Sequence, residues 1–179
     1  MSCDVLDRRR AALVVVDVQQ AFRDAVLEFE RVALRAAVLT QGARILGIPV
    51  LVTEQYPPGL GDTVTELLEH LEGVPRLSKT AFSAMRAEGF DLQGRDQAVV
   101  CGIEAHVCVS QTVLDLIASG VDVHVVTDAV SSRGAHDRDA GLARMQRAGA
   151  VLSSVEMALL EIVGEAGTAE FKAIQGLIK

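Results

Sequence analysis

The chain has 179 residues, half of them hydrophobic, and a formal net charge of −7 at neutral pH. This length can bury a substantial core, and the composition is that of a globular protein, which predicts a single domain over residues 1–179. The acidic balance, the absence of Trp and the single Tyr argue against a nucleic-acid partner, because such surfaces are usually basic and carry aromatic platforms.

The N-terminal segment and the cysteine content indicate a cytoplasmic protein. The segment MSCDVLDRRR has no apolar stretch typical of a signal peptide. No run approaches ~18 apolar residues, so no membrane partner is expected. The cysteines Cys3, Cys101 and Cys108 have neither CxxC nor metal-type spacing, which favours free thiols in a reducing compartment.

Short apolar runs alternate with amphipathic segments along the chain. Ala11–Val16 predicts a buried strand, and Glu28–Leu46 predicts a helix because its apolar residues recur every three or four positions. The other predicted strands are Val50–Thr53, Val74–Ser78, Gln97–Cys101, Val121–Val126 and Ala150–Leu152. The other predicted helices are Thr65–His70, Ala105–Ser119, Asp137–Ala148, Ser154–Gly164 and Thr168–Leu177. This pattern predicts an α/β fold with six strands in a mainly parallel sheet, covered by helices on both faces.

Three polar residues follow predicted strands. Asp17 comes directly after the first strand, Lys79 follows the third, and Cys108 lies a few residues beyond the fourth. Ligands bind at the carboxyl edge of such sheets, where these residues would meet. Each alone also fits a structural role, as a loop cap, a solvated lysine or a small buried residue. Together they are the parts of an activated cysteine nucleophile, since an ammonium favours the thiolate and a carboxylate accepts its proton.

Motifs of other enzyme classes are absent. The first strand is followed by DVQQAF, without the glycines of a dinucleotide-binding turn, and the chain has no G-x-x-x-x-G-K-[ST] or G-x-S-x-G segment. A phosphatase of the haloacid dehalogenase type would have a second Asp at the position of Gln19.

The chain resembles the isochorismatase-like cysteine hydrolases from Ala11 to Val163. The matching segments are VVVDVQQAF, LSKTAFSA and VVCGIEAHVCVSQTVLDL, and TEQYPPGLG is similar to the isochorismatase-domain-containing subgroup. The resemblance implies a three-layer α/β/α Rossmann-like fold and a catalytic triad of Asp17, Lys79 and Cys108. It also implies a cis peptide bond at Ile103–Glu104 and an oxyanion hole made by the amides of Glu104 and Cys108.

The function implied is hydrolysis of a small-molecule amide through a thioester on Cys108. Nicotinamidases of the family hold a metal with a D-x-H-x-x-H arrangement that Glu54–His70 lacks. We therefore expect no metal and no cofactor. Two alternatives stay open. The chain could be a catalytically silent binding or scaffold protein, or a redox-responsive thiol protein.

Further residues near these segments are candidates for the substrate pocket. Gln19 could bind a substrate amide and His106 could contact substrate, while Phe22, Tyr56 and Phe82 could form pocket walls. Core packing or solvation is the alternative for each. The amphipathic segment Thr168–Leu177 and the resemblance also suggest a homo-oligomer.

Overall fold

The computed structural model describes residues 5–179, so the expected free thiol of Cys3 lies outside the described residues. Its six strands form one sheet in the order β3-β2-β1-β4-β5-β6, and all neighbouring strands are parallel. The strands are β1 (Ala11–Val16), β2 (Val50–Gln55), β3 (Arg76–Lys79), β4 (Gln97–Ile103), β5 (Asp122–Ser131) and β6 (Val151–Ser153).

Within residues 5–179, seven α-helices lie between or after the strands. They are α1 (Phe29–Leu46), α2 (Pro57–Leu60), α3 (Thr65–Leu68), α4 (Ser110–Ala118), α5 (Ala135–Ala148), α6 (Val155–Val163) and α7 (Ala169–Ile178). None of the helices within residues 5–179 is long and apolar enough to cross a membrane. The predicted α/β fold is confirmed. Most element boundaries differ from the predictions by one to three residues.

Two boundaries differ for identifiable reasons. The predicted helix Ala105–Ser119 is divided into a π-helical turn, Ala105–Val109, and α4. The apolar periodicity does not distinguish these two geometries. Strand β5 continues to Ser131 rather than ending at Val126, because its pairing with β4 resumes after a register shift near Gly102. The polar Thr127 and Asp128 mask this extension in the sequence.

The sheet separates two apolar clusters, since successive strand residues point to opposite faces. Leu13 and Val15 of β1 face the cluster that includes α1, α6 and α7, whereas Val14 and Val16 face the cluster that includes α4 and α5. Both faces are therefore buried, which explains why the strands are continuously apolar in sequence.

Helix α7 packs within the chain. Ile174 is fully buried, and Leu177 and Ile178 pack against the same cluster as α1 and α6. These contacts use part of the apolar face that was expected to contact a neighbouring subunit. The homo-oligomer stays a prediction.

Gly102 allows β4 to approach β1 closely. Its φ is +124°, and a Cβ at this position would lie 2.0 Å from the carbonyl oxygen of Val16. Because that oxygen belongs to the backbone of the central strand, it cannot move aside without displacing β1. This contact brings the end of β4 against the residue that precedes Asp17.

We predict that Gly102→Ala lowers the free energy of unfolding by roughly 2–5 kcal/mol, as overpacking and an unfavourable φ combine. The control is Gly176→Ala in the exposed part of α7, where a Cβ meets nothing within 4 Å. That substitution should stabilise the protein by about 0.5–1 kcal/mol through helix propensity. Urea unfolding of both variants measures the difference. Equal stabilities would contradict the steric role of Gly102.

Candidate active site

A buried ion pair lies at the carboxyl edge of the sheet. Asp17 follows β1 and Lys79 ends β3, and the two side chains reach over β2, which lies between them. The Lys79 Nζ is 2.6 Å from Asp17 Oδ2, and both side chains are 0% exposed. Thr53 of β2 donates a hydrogen bond of 2.7 Å to the other carboxylate oxygen, Oδ1. The ion pair is therefore also bound by the strand that lies between its two partners.

The three N–H donors of the Lys79 ammonium are all used. Besides Asp17, Nζ donates to Gln55 Oε1 at 2.7 Å and to the carbonyl oxygen of Phe82 at 3.0 Å. A lysine has three donors and no acceptor. In this arrangement Lys79 acts on neighbouring groups by its charge, with no donor left for a substrate.

Gln55 links the ion pair to the cysteine, a role that the sequence did not reveal. Its Oε1 lies 4.0 Å from Cys108 Sγ and accepts from Lys79. Its Nε2 donates to the carbonyl oxygen of Thr80 at 2.8 Å, which orients the amide so that the oxygen faces the site. A signal was present in the sequence. Thr53 and Gln55 are two residues apart on the strand between Asp17 and Lys79, so both point to the same face.

The thiol of Cys108 is buried in the turn that follows β4. The residue is 6% exposed. The pKa of Cys108 is raised to about 12, chiefly by burial and next by the carboxylate of Asp17, while the Lys79 ammonium opposes this rise. The sequence-based expectation that the lysine favours a thiolate is thus correct in direction, but burial and Asp17 outweigh it. The raised pKa favours a protonated thiol in the free protein.

The turn carrying Cys108 begins at Glu104, which directly follows β4. The peptide bond Ile103–Glu104 is cis, at the position that the family resemblance implies. Ile103 is fully buried and Glu104 is 6% exposed. The carbonyl oxygen of Glu104 accepts hydrogen bonds from the N–H groups of Val107 and Val109. The amides of Glu104 and Cys108, the expected oxyanion donors, thus belong to one short, internally bonded turn.

The residues expected in the substrate pocket lie in different environments, some in the interior and some near the surface. Gln19 is fully buried, and its amide makes hydrogen bonds to the backbone N–H and carbonyl of Gln55 and to the carbonyl of Gly61. Gln19 therefore holds the loop after β2, and its amide is already occupied by backbone groups. Phe22 packs against the core cluster around α1, in agreement with its alternative structural role.

The remaining expected pocket residues lie near the surface. Tyr56 and Phe82 are 55% and 51% exposed, and each lines a cleft. One cleft, of about 610 Å³, is lined by Tyr56, Lys79 and Arg86 among others, and Phe82 lines a second of about 430 Å³. His106 is half-buried, with Nδ1 3.0 Å from Ser132 Oγ.

Within residues 5–179, no group of three or more His, Cys, Asp or Glu side chains is placed to hold a metal ion.

The fold agrees with the family match. The model of the Isochorismatase domain matches residues 11–157, and the chain belongs to this family of hydrolase fold. It is 46% identical over 170 residues to isochorismatase domain-containing protein 2 of Macaca fascicularis, covering 93% of this chain and 82% of the relative.

Solved structures give the same result. A Caenorhabditis elegans protein described as MAR1 ribonuclease is 41% identical with a TM-score of 0.92, over 98% of this chain and 92% of that one. YcaC from Pseudomonas aeruginosa, solved with hexane-2,5-diol and covalent acrylamide, is 28% identical with a TM-score of 0.88, over 99% and 93% of the two chains.

We predict that alkylation of Cys108 by iodoacetamide accelerates about tenfold per pH unit from pH 7 to 10, without a plateau, because only the thiolate reacts. Peptide mapping by mass spectrometry assigns the labelled thiol. The control is Cys101, which is fully buried with a pKa also raised to about 12, and which should stay unlabelled while the protein is folded. A plateau below pH 9 would show that the resting thiol is ionised. It would contradict the conclusion that burial and Asp17 outweigh the effect of Lys79 on the pKa of Cys108.

Proposed function

We propose that the protein is a cysteine hydrolase that cleaves the C–N bond of a small amide through a thioester on Cys108. One observation carries this proposal. Gln55 Oε1 contacts the Lys79 ammonium at 2.7 Å and lies 4.0 Å from the Cys108 sulfur, so the acid, the cation and the thiol form one cluster. Such a cluster contains a nucleophile, a proton acceptor and a fixed counter-charge.

In the first step the thiol proton moves to Asp17 as the sulfur attacks the amide carbonyl carbon. Each Asp17 oxygen already accepts one hydrogen bond, from Thr53 or from Lys79, and retains a lone pair for a proton. Lys79 keeps the carboxylate in place and offsets the negative charge that develops. Because the resting thiol is neutral, proton transfer accompanies attack.

The tetrahedral oxyanion then accepts hydrogen bonds from the backbone amides of Glu104 and Cys108. Loss of one oxyanion-hole donor typically lowers turnover by about 10²–10³-fold. As the C–N bond breaks, Asp17 returns its proton to the departing ammonia or amine, leaving a thioester. Water attacks the thioester, giving its proton to Asp17. The C–S bond breaks, the carboxylic acid is released and Asp17 reprotonates the sulfur.

The relatives support a small acyl substrate. Acrylamide is a small primary amide, and the 28% identical YcaC structure contains it covalently bound. We infer that this chain also takes amides of this size, and the 6% exposure of Cys108 leaves little of the residue open to a larger substrate. The aromatic side chains of Tyr56 and Phe82 then form the outer walls of the approach.

We expect Cys108→Ala to reduce ammonia release from a panel of small primary amides to background, because no other thiol contacts Asp17 and Lys79 among the described residues. The matched control is Cys101→Ala, which removes a sulfur from the interior of β4 and should keep the activity within about threefold, since the cavity left affects stability more than the site. Turnover that survives in the Cys108 variant would exclude the nucleophile. An inactive wild-type protein would favour the silent binding role.

The ribonuclease description of the C. elegans neighbour provides a second substrate to test. We expect no cleavage of single-stranded RNA, because the chain has a net charge of −7 and the buried Lys79 has no free donor for a phosphate. The measurement is RNA integrity on denaturing gels with wild-type and Cys108→Ala protein at low salt. Cleavage of RNA that depends on Cys108 would contradict the amide proposal and indicate a phosphodiester substrate.

A further inference from the structure

The Glu104 side chain cross-links the turn that carries the nucleophile to the end of the neighbouring strand. Its carboxylate is 7% exposed and accepts from the backbone N–H of Arg133 at 2.9 Å. The Nε of Arg133 is 3.1 Å from each carboxylate oxygen. Arg133 follows β5 by two residues, so this contact joins the ends of β4 and β5.

The contact begins where the backbone ladder ends. The last paired residues of β4 and β5 are Ile103 and Ser131. Beyond them, the Glu104 carboxylate takes the Arg133 N–H, and His106 Nδ1 lies 3.0 Å from Ser132 Oγ. Two side chains of the turn thus continue the contact between the two segments beyond the end of strand pairing.

Helix α5 confines the same turn from another side. A Cβ on Gly141 would lie 2.8 Å from the carbonyl oxygen of Ala105 and 2.9 Å from the Cα of His106. The turn therefore has little room to move toward α5, and the Glu104 carboxylate opposes movement away from β5.

From these restraints we infer that Glu104 is a positioning residue whose carboxylate, bound to Arg133, fixes the backbone amides that stabilise the oxyanion. This inference rests on the proposed acyl chemistry. Glu104 acts through the backbone and needs no contact with substrate. An oxyanion hole requires donors 2.7–3.1 Å from the developing charge, and a displacement of 1 Å can cost about 10²-fold in rate.

The role predicts that two reactions of the same sulfur respond differently. Acyl transfer from p-nitrophenyl acetate passes through an oxyanion, whereas alkylation by iodoacetamide is a displacement at saturated carbon and needs no oxyanion hole. For Glu104→Ala we expect kcat/KM for the ester to fall roughly 10–100-fold, while the alkylation rate constant of Cys108 changes less than about threefold.

Two further variants distinguish loss of the Glu104–Arg133 contact from a general loss of stability. Glu104→Gln keeps an acceptor for the Arg133 N–H and should recover most of the esterase activity. Arg133→Ala removes a guanidinium whose side chain is 63% exposed but keeps the backbone donor, so it should lower the rate less than about threefold. Thermal melts confirm that each variant is folded at the assay temperature.

The outcomes distinguish the positioning role from the proposed function. A parallel loss of both reactions in Glu104→Ala, or a loss of neither, would overturn the positioning role. The same holds if Glu104→Gln is as impaired as Glu104→Ala. If wild-type protein shows no Cys108-dependent acylation by the ester, the proposed function itself fails and the positioning role fails with it.

Discussion

The buried ion pair between Asp17 and Lys79 is the constraint on which the site and part of the fold depend. Each charge alone would be costly in the interior, and removing one partner of such a pair typically destabilises a protein by about 3–5 kcal/mol. The pair forms only if β1, β2 and β3 keep their register, in which Val16 lies beside Thr53 and Gln55 beside Lys79. The site is therefore assembled only when these three strands pair correctly.

The pair also affects the protonation state of the thiol. A lysine near a cysteine usually favours the thiolate, but here the Lys79 charge is matched at 2.6 Å by Asp17, and its donors are all occupied. The two charges act on Cys108 in opposite directions, so burial dominates and the pKa of the thiol rises to about 12. A protonated resting thiol beside a carboxylate suits a reaction in which deprotonation waits for the substrate.

The sequence predicted the elements whose physics is local or repetitive. Ala11–Val16 was correctly bounded because a strand buried on both faces is continuously apolar. Asp17 and Lys79 were placed at one edge because parallel strands share a direction, although their distance could not be derived. The structure does not support the predicted role of Gln19 as a substrate contact, because its amide already binds backbone groups. The sequence could not show these hydrogen bonds, because they depend on the folded path of the loop after β2.

The unpredicted contacts have a common cause. At the carboxyl edge the sheet stops, and the loops beyond it lose the ladder that fixes strand backbones. Gln19 holds the loop after β2, and Glu104 holds the turn after β4, each by a buried side chain that binds backbone groups of another segment. Buried backbone groups need such partners, because an unpaired one costs free energy comparable to a lost hydrogen bond. The side chains that bind these backbone groups thereby also fix the positions of the reactive groups. Such contacts produce no periodic pattern in the sequence, so the sequence does not reveal them.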